Sequence, residues 1–175
     1  MTRRFYSVII LLVLVSSVAS SSAQATEVGR GRDFGLGLAL GSPSGIVGKV
    51  FAGPTEALDF GLGFRNYGYR CNHRHGCGNE QLSVHADYLW QNNLLMEGNV
   101  VLDWHIGVGG RVWFYDYNDN NDNDLAVAAR MPIGIDLMFR RPSFLEVFLE
   151  IGPSLWVVPG LYLNLDSALG VRFYF

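Results

Sequence analysis

Two triplets in the middle of the chain, His85-Ala86-Asp87 and Asp103-Trp104-His105, each place an imidazole and a carboxylate two residues apart. Imidazole and carboxylate are zinc ligands, and the same pair can orient a general base; Ser83 adds a hydroxyl two residues before His85. On an extended strand, a separation of two keeps the members of each pair on one face. A turn centred near Leu95 would then set His85 opposite His105 and Asp87 opposite Asp103. The structural expectation competes with the chemical one. Read with a period of two, Arg65, Arg111, Arg130, Arg140 and Arg172 share that face with Asp59, Asp136, Glu146, Glu150 and Asp166. Charges of both signs survive burial only when paired, so we expect the His-Asp cluster to belong to a polar network and not to a catalytic centre.

Two connections carry other chemistry. Cys71 and Cys77 flank Asn72, His73, Arg74, His75 and Gly76, which in an oxidised compartment predicts a disulfide closing the loop, worth about 2–3 kcal/mol in chain entropy. A zinc set of Cys71, His73, His75 and Cys77 is the rival, strained by its closeness in sequence. Residues 116–124 hold Asp116, Asp119, Asp122 and Asp124 among asparagines, oxygen ligands of the kind that suit weak calcium binding. Asn121 and Val127 stand where an EF-hand loop needs glycine and glutamate, so this is not an EF-hand; a solvated polar loop is the plainer expectation. No other cofactor is indicated.

The elements that must position these residues are strands. Leu58, Phe60, Leu62 and Phe64 alternate with Asp59, Gly61 and Gly63; Leu82, Val84, Ala86 and Tyr88 alternate with Ser83, His85 and Asp87. The same division recurs in 33–40, 102–111, 125–137, 145–151 and 163–172. Only Ser44 to Phe51, with Lys49 and two glycines, leaves its faces unassigned, and eight strands result.

Arg3 and Arg4, an apolar run from Val8 to Val18 and Ala23-Gln24-Ala25 have the form of a signal peptide cleaved after residue 25, which leaves 26–175 as one domain. Without Arg3 and Arg4, 11 basic residues face 16 acidic ones, a balance that gives no reason to expect nucleic-acid binding. Twelve of the 13 basic residues are arginine, which suits paired guanidinium groups better than a hydrated surface.

Which face points inward separates a soluble lipocalin-like ligand-binding barrel from a membrane barrel. Glycine and alanine share the charged face, bulky apolar residues fill the other, and aromatics gather near strand ends, all favouring charges inside and leucines against lipid. The expected girdles are Tyr67, Tyr69, Trp113, Tyr115, Tyr117 and Trp156 toward one rim, and Trp90, Phe139, Phe173 and Phe175 toward the other. The longest connections, 68–80 and 116–124, fall on one side; the tight Ala52-Gly53-Pro54-Thr55 and Arg140-Arg141-Pro142-Ser143 segments, with the somewhat longer Gln91–Gly98, fall on the other. The predicted class is all-β, an eight-stranded antiparallel up-and-down transmembrane β-barrel.

The ending Leu169-Gly170-Val171-Arg172-Phe173-Tyr174-Phe175 resembles the last strand of bacterial outer-membrane barrels, and the mature chain resembles the small OmpX/OmpA-like eight-stranded members. The resemblance implies that Phe173 and Phe175 are part of the signal read by the barrel-assembly machinery. It also implies a surround of outer-membrane lipid and lipopolysaccharide, periplasmic termini and exposed loops able to meet an extracellular or host ligand. The expected role is non-enzymatic, structural or adhesin-like, through loops 68–80 and 116–124. Some eight-stranded barrels modify lipid A, but Ser83 and His85 read S-x-H, the reverse of the H-x-S order of the deacylase family, and both are expected inside.

Overall fold

The computed structural model describes residues 32–42, 44–64, 81–116 and 123–175. They form nine strands: β1 (Phe34–Gly41), β2 (Ser44–Phe51), β3 (Glu56–Phe64), β4 (Gln81–Glu97), β5 (Val100–Asp116), β6 (Asn123–Arg130), β7 (Ile133–Phe139), β8 (Leu145–Val158) and β9 (Tyr162–Tyr174). All pairings are antiparallel, and β9 returns to β1, so the sheet closes on itself. The wall has eight positions because β6 and β7 share one, between β5 and β8. Pro132 interrupts that position because it has no amide hydrogen to give the ladder. Its carbonyl accepts from the Gly107 amide at 2.8 Å, and the Met131 amide donates to the Pro153 carbonyl at 3.0 Å, so the break is bridged. The alternation keeps phase across it: Arg130 and Asp136 are buried, Met131 and Ile133 exposed.

Phe34 and Phe175 mark what we call the lower rim, and the β8–β9 hairpin marks the upper rim. Connections 65–80 and 117–122 leave from the upper rim and lie outside the described residues, as do Arg65, Tyr67, Tyr69, Cys71, Cys77, Tyr117, Asp119, Asp122 and residues 1–25. Asp116 and Asp124 belong to the backbone ladder of β5 and β6, so the acidic connection is shorter than the spacing predicted.

The faces divide as the alternation predicts. Leu36, Leu38, Leu58, Leu62, Val84, Ile135, Leu149 and Leu169 point outward and are exposed, while charged and hydroxyl side chains fill the interior. That order is the reverse of a lipocalin-like soluble barrel, and eight strands enclose only enough space for side chains.

Three expectations need correction. The turn between β4 and β5 is Gly98-Asn99, not near Leu95, and Gly98 has φ +56°, a conformation a Cβ resists. Gln91, Asn92 and Asn93 have the composition of a loop but continue the strand, and an irregularity between Asn93 and Leu95 keeps the tip in register. His85 therefore lies opposite Arg111, Gln91 opposite His105 and Asn93 opposite Asp103; the His85–His105 and Asp87–Asp103 pairings do not form. Second, Trp113 and Trp156 are not girdle residues. They face inward and meet edge-on at 5.1 Å, closing the upper lumen with Ala126 and Ala128. Outward aromatics near the rims include Phe64 and Phe114 above, and Phe34, Trp90, Phe144, Phe173 and Phe175 below, with Phe139 half-buried, while Tyr162 shares the inward phase of Asp166 and stacks on Trp156. Third, Arg140 lies in the exposed lower turn, where it donates to the Gly98 carbonyl at 3.4 Å, and is not a lumen residue.

Candidate functional site

The lumen is the site the strands build. Among the described residues, buried Asp59, Asp87, Asp103, Asp136, Glu146, Glu150 and Asp166 face Arg32, Lys49, Arg111, Arg130 and Arg172, with His85 and His105 among them. Neither sign forms a ring of its own of the kind that makes a selective pore.

Most of these groups join in one continuous chain. His85 Nε2 lies 3.8 Å from Asp59 Oδ1, and Asp59 accepts from Arg172. Arg172 also donates to Glu146 at 2.5 Å while its guanidinium sits 3.7 Å over the Phe148 ring. Lys49 Nζ is 3.7 Å from Glu146 and 3.1 Å from Asp136. Asp136 meets His105 Nδ1 at 2.8 Å; His105 Nε2 is 3.6 Å from Glu150. Glu150 accepts from Arg130, whose Nε is 3.3 Å from Asp87. Every wall position except β1 contributes, and β1 turns Gly35, Gly37 and Ala39 toward the crowd, leaving the long side chains room.

Smaller groups lie above and below. Arg111 donates to Asp166 at 2.7 Å and to the Ser42 carbonyl at 3.3 Å, and Ser154 donates to the same Asp166. Asp103 is held by amides, Asn93 at 2.9 Å and Gln91 at 3.4 Å. Arg32 donates to the Ser143 and Phe139 carbonyls at 2.7 and 2.8 Å across the lower mouth.

His85, Asp87, Asp103, His105, Arg111, Arg130, Asp136, Glu146, Glu150, Asp166 and Arg172 are thus all buried inside the barrel, but in three groupings. Sequence reasoning missed Lys49, a central link. The missing signal was register: counted back through the Ala52–Thr55 turn, Lys49 falls opposite Asp59, whose inward phase was already evident. Tyr174, which donates to Glu146 at 2.5 Å, and Ser154 were missed because single hydroxyls in strands carry no motif.

Ser83 Oγ and His85 Nδ1 are buried without a hydrogen-bond partner, so no Ser–His pair forms to activate the hydroxyl. Among the described residues, no three His, Cys, Asp or Glu side chains converge as a metal set.

His85 lies so close to Gly61 that a Cβ there would sit 2.3 Å from the ring. Gly61→Ala is expected to destabilise the barrel by about 1–3 kcal/mol through overpacking, with His85→Ala relieving part of the loss. Urea unfolding of the two single variants and the double variant in lipid vesicles checks this; strictly additive losses would refute the contact.

A closed antiparallel wall with leucines outside and an ion-paired interior defines a transmembrane β-barrel whose lumen is filled by its own side chains. No protein-family model matches the chain, and no curated protein matches it. In a search of solved structures it is similar to Neisserial surface protein A, with 12% identity, a TM-score of 0.39 and coverage of 82% of this chain and 94% of that one.

Proposed function

We propose that this chain is an integral outer-membrane protein without enzymatic activity, a rigid plugged barrel that presents connections 65–80 and 117–122 outside the cell for structural or adhesive contact. The supporting observation is the unbroken ion-paired chain from His85 to Asp87 by way of Arg172, Lys49 and Arg130, which fills the space a substrate or permeant solute would need. Ser83 and His85 lie behind the wall from lipid, against a lipid A-modifying role. Both long connections leave from the rim opposite Phe175, the placement that periplasmic termini require of exposed loops.

Carbonate washing of cell envelopes is expected to leave the protein in the membrane pellet. In planar bilayers the purified barrel is expected to show no steady conductance. Protease added to intact cells is expected to cut within 65–80 or 117–122 and abolish any surface binding. Release by carbonate would overturn the membrane assignment, a stable open pore would overturn the plugged lumen, and surface binding that survives shaving would overturn the loop role.

A further inference from the structure

The lumen holds one carboxylate that its cations do not reach. Among the described residues, seven buried carboxylates face five buried Lys and Arg side chains. Asp59, Asp87, Asp136, Glu146, Glu150 and Asp166 each have an arginine or lysine nitrogen no farther than 3.3 Å away. Asp103, fully buried in the lower part of β5, is met only by the amides of Asn93 and Gln91. The neighbouring cations are engaged elsewhere: Arg32 with backbone carbonyls, Lys49 with Asp136 and Glu146, His105 with Asp136 and Glu150. A carboxylate away from water needs a proton or a cation to neutralise it.

The atoms around Asp103 are oxygens in want of a positive charge. Asp136 of β7 lies directly opposite it in the ladder, at a Cα separation of roughly 5 Å, and Asp136 Oδ1 is buried without a hydrogen-bond partner. Gln91 is fully buried as well, and its Oε1 has no partner either. Its amide nitrogen reaches Asp103 Oδ2 at 3.4 Å, the long limit of a hydrogen bond. A half-turn of that amide keeps its volume and turns Oε1 toward the carboxylate. Two such oxygens approach each other only with a cation or a proton between them. Asn93 anchors the other side of the carboxylate, donating to Oδ1 at 2.9 Å.

We propose that the lower lumen binds one monovalent alkali cation between the Asp103 carboxylate, Gln91 Oε1 and Asp136 Oδ1. A proton on Asp103 serves one pair of oxygens, whereas a cation draws on all three. The neighbours set its charge. Calcium takes about six to eight oxygens, more than these side chains supply, and Lys49 Nζ, 3.1 Å from Asp136 Oδ2, repels a second positive charge. The excess of carboxylates rules out an anion. The ion enters by the lower mouth, where Asn93 is half-buried and residues 94–99 are exposed, and the ion-paired chain beginning at Lys49 stops it from crossing the lumen.

Urea unfolding of the protein in lipid vesicles tests this, with sodium or potassium chloride exchanged for choline chloride at constant ionic strength. Choline is too large for the site and screens the remaining ion pairs equally. With one of the two alkali ions at about 0.3 M, the unfolding equilibrium constant is expected to fall about tenfold relative to choline, as a site half-filled near about 30 mM requires. Asp103→Asn, of the same shape, is expected to remove the dependence. Gln91→Met, which keeps the carboxylate and removes the amide oxygen, is expected to move the half-effect to higher cation concentration, and Gln91→Glu to lower. Ser154→Ala, in the upper lumen, is expected to leave it unchanged. A dependence that survives Asp103→Asn would overturn the proposal. So would equal stability in choline, sodium and potassium, which would assign Asp103 a proton instead. Should Asp103→Asn fail to fold, the two Gln91 variants decide, and a half-effect unmoved in both would overturn it as well.

Discussion

Replacing Arg172 with methionine is expected to lower the unfolding free energy by about 3–5 kcal/mol, the loss typical when one partner of a buried ion pair is removed. Arg172 contacts Asp59 and Glu146 directly and lies 3.9 Å from Asp136, so its loss leaves several buried carboxylates facing one another. Methionine retains much of the side-chain volume against Phe148, so a cavity contributes little to the loss. Restoring charge balance separates the electrostatic contribution from packing. Arg172→Met combined with Asp59→Asn and Glu146→Gln is expected to recover a large part of the stability, since neutral amides need no counter-charge. Urea unfolding in lipid vesicles, followed by tryptophan fluorescence, measures both. A single variant within 1 kcal/mol of the parent, or a triple variant no better than the single, would show that the network does not hold the wall together.

The same network shows where sequence reasoning succeeds and where it stops. Period-two alternation identifies which side chains share a face, and closure of the barrel converts a shared face into a shared lumen. That is why Asp59, Glu150 and Arg172 could be grouped although they are far apart in the chain. Alternation contains no register between strands. The pairing of β4 with β5 depends on where Gly98 turns the chain and on the irregularity after Asn93, and an error of about three residues in the turn centre moved His85 from His105 to Arg111. Lys49 escaped for a related reason: two glycines blur the alternation of β2, and only its position opposite Asp59 shows its phase. Trp113 and Trp156 were misplaced when composition was allowed to override phase. Both occupy inward positions of their strands, and a tryptophan near a strand end is a girdle residue only when it points outward.

Leu62→Arg tests the inside-out assignment itself, because soluble and membrane barrels predict different outcomes for it. Leu62 lies in β3 between Ile46 of β2 and Val84 of β4, all three outward and exposed. If water covered that face, a substitution there would change stability by no more than about 0.5 kcal/mol. With lipid covering it, an arginine at Leu62 is expected to cost more than one at Phe64, two residues nearer the upper rim, on a scale that runs from about 2–4 kcal/mol at the bilayer midplane to about 0–1 kcal/mol at the interface. The contrast between the two positions matters more than either value, since propensity and local packing change similarly at both while depth does not. Urea unfolding of the two variants in thin-bilayer vesicles measures it. Equal, small effects would place water on the leucine face. A loss that grows from Phe64 to Leu62 requires hydrocarbon outside, and it explains why the charged side chains have only one another as partners inside.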